Sequence, residues 1–137
     1  MKMWEPTECP GTEELKDRLQ TAREKLARQQ MLLKEKKLPV LVLMEGWGTA
    51  GKGNCIGRVI QNIDPRFFNV ESLEKKTEEE KRKPFLYRYF KRLPEAGKFA
   101  FFDSGWMDET VQEKLSGGLT EKTYADRIES VRRFERQ

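Results

Sequence analysis

Apolar residues early in the chain, Leu15, Leu19, Ala22, Leu26 and Leu33, recur at spacings of three, four and seven, with Gln29-Gln30 at the turn between the last two. That period gathers them into one stripe of a helix. Thr12-Glu13-Glu14-Leu15 reads as its capped start, with acids in the first turn, so the helix is expected from Thr12 to about Lys37. The residues before it read as an irregular lead-in. After Pro39 the pattern changes to an unbroken apolar run, Val40-Leu41-Val42-Leu43-Met44. Such a run, rich in branched residues, is the pattern of a strand covered on both faces in a parallel sheet. A glycine-rich turn follows at once, then a second helix over about Gly53 to Asn62. Asp64-Pro65 breaks it, and Phe67 to Leu73 can form a second strand.

Thr77-Glu78-Glu79-Glu80 is a capping sequence for a third helix, with Phe85, Leu86, Tyr89, Phe90 and Leu93 on its apolar side and Pro94 at its end. Pro84 falls inside and should kink it or delay its start. Lys98-Phe99-Ala100-Phe101-Phe102-Asp103 reads as a third short strand ending on a carboxylate. A short helix or turn over about Asp108 to Leu115 leads to Gly117-Gly118. Thr120 then caps a last helix, with Tyr124, Ile128, Val131 and Phe134 at helical spacing, running to the end of the sequence. Alternating helices and strands without repeats or low-complexity linkers predict one α/β domain. The 137 residues leave room for about one such unit.

Composition narrows the chemistry. No apolar run approaches the roughly 20 residues that span a bilayer. The first residues lack the features of a secretory leader, so a cytoplasmic location, no membrane partner, and free thiols at Cys9 and Cys55 are expected. The net charge of +4 is too small to call for a nucleic-acid partner, yet the segment from Glu74 to Arg92 alone holds eight bases against four acids. An anionic ligand near that segment follows. His is absent, which removes the commonest general base and transition-metal ligand and makes a triad or a zinc site a poor reading.

The sequence that carries chemistry is Gly46-Trp47-Gly48-Thr49-Ala50-Gly51-Lys52-Gly53, a G-x-x-x-x-G-K loop between strand and helix. Gly46, Gly48, Thr49, Ala50, Gly51 and Gly53 would let backbone N–H groups wrap a phosphate, while Lys52 supplies a mobile charge for its oxygens. Gly53 stands where the usual motif has the Ser or Thr that ligates Mg²⁺, so a metal ligand must come from elsewhere. Asp103, at a strand end on the carboxyl edge of the sheet, suits that role, and its bland reading is a turn residue. Trp47 and Trp106 could flank a base, with packing beneath the loop the preferred reading. Cys55, one turn into the helix, is expected to be a packing residue.

Several segments in order resemble the polyphosphate kinase type 2 family: the loop, Asp64-Pro65-Arg66, Thr77-Glu78-Glu79-Glu80, Lys83-Pro84-Phe85-Leu86-Tyr87-Arg88-Tyr89-Phe90, Leu93-Pro94, Phe102-Asp103-Ser104-Gly105-Trp106 and Phe134-Glu135-Arg136-Gln137. The Pro-Phe-aromatic and Asp-Ser-Gly-Trp segments look most like the amino-terminal half of tandem polyphosphate:AMP phosphotransferases. The resemblance covers about residues 38–137, leaving residues 1–37 as lead-in and helix. It implies a P-loop kinase-like three-layer sandwich with a parallel sheet in the order 2-3-1. It also implies phosphoryl transfer between inorganic polyphosphate and AMP or ADP, with Mg²⁺ at Asp103 and with Lys52 and Asp103 as catalytic residues. Arg88 and Lys81-Arg82-Lys83 could then track the polyanion, or form a solvated face balanced by the neighbouring acids.

Two positions depart from the family pattern. The loop's third position, usually Asp, is Gly48, and the residue after Asp103, usually Arg, is Ser104. Losing a metal ligand or a transition-state cation commonly costs on the order of a thousandfold in rate. A weak or silent catalytic domain is therefore expected, or a noncatalytic binding or support module for a catalytic half. The family domain also continues into further strands and a lid, so a partial domain is expected, whose open first strand invites a second copy or a second kinase half.

Overall fold

The computed structural model describes residues 11–73 and 75–137, so Cys9 and the lead-in up to residue 10 lie outside it. The chain folds into α1 (Thr12–Lys36), β1 (Val40–Leu43), α2 (Lys52–Val59), β2 (Phe68–Glu71), α3 (Glu78–Lys81), α4 (Tyr87–Phe90), β3 (Phe99–Phe102), α5 (Trp106–Leu115) and α6 (Glu121–Glu135). The three strands form one parallel sheet in the order β1-β3-β2, as expected. Its centre is β3, wholly buried because Phe99-Ala100-Phe101-Phe102 has a neighbouring strand on each side and helices on both faces.

Alternation along the strands sorts the core into two halves. Phe99 and Phe101 point to the side of α1 and α2, where Ile56 and Ile63 are buried and Leu26, Leu33, Val40 and Val42 pack around them. Ala100 and Phe102 point to the other side, joined by Tyr89, Trp106 and Val131, with Leu41, Leu43 and Phe134 packed against them. Tyr89 meets Trp106 edge-on at 5.6 Å between ring centroids, and Trp106 meets Phe134 at 5.3 Å. This is a three-layer α/β/α arrangement. Among the described residues β1 pairs only with β3, and apolar grooves of about 530 Å³ and 520 Å³ flank its two faces.

Several expectations need correction. The third helix is two single turns, α3 and α4, because Pro84 lacks an N–H and its ring excludes a continuous helix through Arg82–Leu86. Thr77 nevertheless caps α3 with the reciprocal Glu80 bond, as its sequence predicts. Phe90 and Leu93 do not join the core; they are exposed at the rim of a groove beside β1. Thr12 is the first helical residue of α1, not its cap, since the first helical bond runs from Leu15 N–H to Gly11 O at 3.0 Å. The stripe of α1 engages late: Leu15 and Leu19 are exposed, whereas Gln30 is buried and its Oε1 accepts the Asp64 N–H at 3.2 Å. Cys55 is exposed, because Ile56 takes the inward direction on the short α2. Helix α6 ends at Glu135, before the end of the sequence. No helix among the described residues is long and apolar enough to cross a membrane.

Candidate functional site

In a parallel sheet every strand delivers its carboxyl end to the same edge, so the segments after β1, β2 and β3 converge there. The register places Leu43 of β1 beside Phe102 of β3. The loop after β1 is shaped by Gly46 and Gly51, whose φ values of 146° and 79° lie in the region that side chains disfavour. Gly51 is the N-cap of α2, which orients the unpaired N–H groups of that helix toward the loop. The Lys52 ammonium lies back across the loop. It donates to Gly46 O and, at 3.3 Å, to Trp47 O, and it stands 3.5 Å from Asp108 Oδ2. Gly46 N–H donates to Asp108 Oδ1 at 3.0 Å, and Ser104 Oγ lies 3.5 Å from Asp108 Oδ2.

Trp47 does not pack beneath the loop; it is 74% exposed, because the loop projects past the layers that would cover it. Trp106 does pack, at 3% exposure, and its indole N–H donates to Glu135 at 2.8 Å. Gly48, Thr49, Ala50 and Gly53 are exposed along the same loop and helix start.

Helix α5 begins two residues earlier than its sequence suggests, and its cap comes from across the sheet. The Met107 N–H donates to Glu45 Oε1 at 3.2 Å, so the residue preceding the loop caps the helix that follows β3. A methyl group on Gly105 would sit 2.0 Å from that oxygen. Burial raises the Glu45 carboxyl above its ordinary range, against the lowering effect of the Met107 N–H, and the nearby Asp108 charge adds to the rise.

Asp103 sits at the end of β3, where its carboxylate accepts from Ser72 Oγ at 3.0 Å and its N–H donates to Glu71 O at 3.3 Å. It therefore stands on the β2 side of the edge, while the partners of Lys52 are Gly46, Trp47 and Asp108. Among the described residues no three His, Cys, Asp or Glu side chains are grouped to hold an ion. Asp103 with the Ser72 hydroxyl is an all-oxygen donor pair that fits Mg²⁺, an ion held by one or two carboxylates together with substrate phosphates.

A cleft of about 570 Å³ lies beside this edge, lined by Lys75, Lys76, Arg88, Ser104, Glu109 and others. Arg88 is buried there, with Nη1 3.5 Å from Glu109 and Nε 3.8 Å from Glu80. Glu109 also receives Lys76 Nζ at 2.5 Å and the Tyr89 hydroxyl at 2.6 Å. Burial, with the Glu109 carboxylate beside it, pushes the Tyr89 hydroxyl upward, so it remains a donor. Of Lys81-Arg82-Lys83, Lys81 pairs with Glu78 at 2.6 Å and all three are exposed.

The structure thus assembles the loop, Lys52, Ser104 and Asp108 in one place, and sets Asp103 with Ser72 and Arg88 with Glu109 along the same edge. Sequence reasoning missed Glu45, Asp108 and Glu109. The expected strand order held a clue, since neighbouring β1 and β3 require the residues after Asp103 to lie beside the loop.

A family model described as Polyphosphate kinase 2 matches residues 11–137. The chain belongs to the polyphosphate kinase 2 family. A solved structure assigned to polyphosphate kinase 2 from Pseudomonas aeruginosa superposes with a TM-score of 0.85 at 28% identity, covering 93% of this chain and 28% of that one. Polyphosphate kinase 2 from Arthrobacter aurescens superposes at 0.80 and 28% identity, covering 85% and 43%. Among curated relatives, the ADP-polyphosphate phosphotransferase 3 of Rhizobium meliloti is 32% identical over 82% of this chain and 39% of its own length. The polyphosphate:AMP phosphotransferase of Pseudomonas syringae is 31% identical over 72% of this chain and 20% of its own length. The chain therefore spans two fifths or less of these curated polyphosphate kinase 2 relatives.

Proposed function

We propose that this chain binds inorganic polyphosphate at the Gly46–Gly53 loop and takes part in phosphoryl transfer to or from AMP or ADP. It is most similar in kind to the amino-terminal half of a tandem polyphosphate:AMP phosphotransferase, with residues 38–137 as the kinase-like part. The observation that carries this reading is the loop itself, with glycines at positive φ, a helix N-terminus behind it and the Lys52 ammonium lying across it. In the transfer, the bond from a terminal phosphorus to its bridging oxygen breaks as a bond to a terminal phosphate oxygen of the nucleotide forms. Lys52 neutralises phosphate oxygens at the loop, and Arg88 adds charge along the cleft once a phosphate competes for it. Asp103, with the Ser72 hydroxyl beside it, would hold Mg²⁺, which would supply positive charge against the phosphate oxygens. A partner half or a second copy pairs along the open β1 edge.

The departures support a second reading, a noncatalytic polyphosphate- or nucleotide-binding module that serves a catalytic half. Gly48 places no carboxylate in the loop, and the Ser104 hydroxyl faces Asp108 where a cation would otherwise stand.

Isothermal titration of the chain with medium-length polyphosphate, at two salt concentrations and with and without Mg²⁺, tests the binding. An AMP-to-ADP assay on the same sample tests transfer. Salt-sensitive binding that Lys52→Ala weakens at least tenfold supports the phosphate cradle; binding indifferent to Lys52 refutes it. Turnover separates the catalytic reading from the noncatalytic one.

A further inference from the structure

The Lys52 ammonium donates to Gly46 O and Trp47 O and forms an ion pair with Asp108, whose Oδ2 is 3.5 Å away. The same Asp108 takes the Gly46 N–H on its other oxygen, at 3.0 Å, and has the Ser104 hydroxyl 3.5 Å from Oδ2. One carboxylate is thus held by a loop N–H, an ammonium and a hydroxyl, the groups by which such a loop holds a phosphate. The pair is shielded, with the Lys52 and Asp108 side chains 17% and 13% exposed, so water screens it little. Asp108 reaches this place because β3 lies next to β1 and α5 starts directly beyond it.

We infer that Asp108 is an affinity-setting residue of the loop, a built-in carboxylate that competes with incoming phosphate for Lys52 and the Gly46 N–H. This inference rests on the proposal that the loop binds phosphate. An entering phosphate must either displace the carboxylate or share Lys52 with it, and in both cases it works against a negative charge held within a few ångströms. The neighbouring Glu109 stands in the same relation to Lys76 and Arg88, so the first turn of α5 opposes anions at two adjacent points of the edge.

The test is titration of inorganic tripolyphosphate into the whole chain, comparing the unmodified protein with Asp108→Asn, Lys52→Ala and the double variant. Asn keeps an acceptor for the Gly46 N–H and removes the charge. Binding should tighten about tenfold in Asp108→Asn, which is about 1.4 kcal/mol, and the gain should shrink in the Lys52→Ala background, where only direct repulsion by the carboxylate and its hold on the Gly46 N–H remain. Asp108→Ser carries the same expectation and keeps the test open if Asn disturbs the fold. Glu121→Gln, which removes an exposed charge at the start of α6, should change affinity less than twofold. If the unmodified chain binds tripolyphosphate and the Asp108 variants bind it equally or more weakly, the inference fails while the phosphate-binding proposal stands. If neither binds, the phosphate-binding proposal fails and the inference falls with it. A gain that is undiminished without Lys52 also overturns the inference, since Asp108 would then not be competing for that ammonium.

Discussion

Replacing Gly105 with Ala probes the connection between the loop and α5. The backbone there is extended, with φ −119°, so the methyl group brings no dihedral strain. It would, however, lie 2.0 Å from Glu45 Oε1, 3.0 Å from Cδ and 3.3 Å from Cγ. Glu45 must rotate away, and the Met107 N–H it accepts at 3.2 Å loses its partner. Loss of a helix cap costs about 1 kcal/mol, within a range of roughly 0.5–2, and Ala is itself a poorer N-cap than Gly by a few tenths or more. A destabilisation of about 1–2 kcal/mol follows. With a urea m-value of about 2 kcal/mol/M, mid-range for small proteins, the midpoint should fall by about 0.5–1 M. The cycle with Glu45→Ala is decisive. That variant loses the cap by itself, so Gly105→Ala on top of it should cost less than half as much as it does alone. Full additivity would mean that the methyl group acts on something other than Glu45, and the account of the trans-sheet cap would be wrong.

Other outcomes follow from the same contacts. Because burial raises the folded-state pKa of Glu45, the folded chain favours its protonated form, and that contribution to stability, separate from the cap, is lost as pH rises from the ordinary carboxylate range through the raised value. Glu45→Gln should keep the cap and remove that loss, giving a flatter pH–stability profile just above that range by urea titration. Glu80 has the opposite sign: burial pushes its carboxyl up, but the Thr77 N–H and the Arg92 and Arg88 guanidinium groups outweigh it and hold the pKa low. Its stability is present above the ordinary carboxylate range and is lost as pH falls through the folded value. Glu80→Gln should cost about 2–3 kcal/mol at neutral pH, by leaving two guanidinium groups poorly matched, and should weaken that acid limb. A Cβ at Gly48 would have no atom within 4 Å, so Gly48→Asp fits the loop. Combined with Ser104→Arg, it should raise AMP-to-ADP turnover when additional family sequence or a partner supplies a lid, whereas strong turnover by the unmodified chain would contradict the role given to the two departures.

Much of the fold was legible in the chain because it is written locally. The Val40–Met44 run, the Thr77–Glu80 capping box and the Gly-rich loop before Lys52 each depend on residues within a turn or two of one another, and each forms where the pattern puts it. Pro84 was visible as an interruption, and the structure shows that it divides the helix into two single turns, α3 and α4, rather than bending it. The site was legible only in part, for a related reason. A phosphate loop is contiguous, so it can be read, whereas the groups that restrain it come from far along the chain. Glu45 and Met107, and Gly46 and Asp108, are each separated by 62 residues and meet only because β1 and β3 are neighbours. Composition and spacing determined the parallel α/β class, the loop and its lysine. The tertiary structure decided that Trp47 faces solvent, that Arg88 is buried against Glu109 and that Lys52 lies beside Asp108. The physical reason is that burial and charge pairing belong to the packed sheet edge, where segments distant in sequence share one low-dielectric environment.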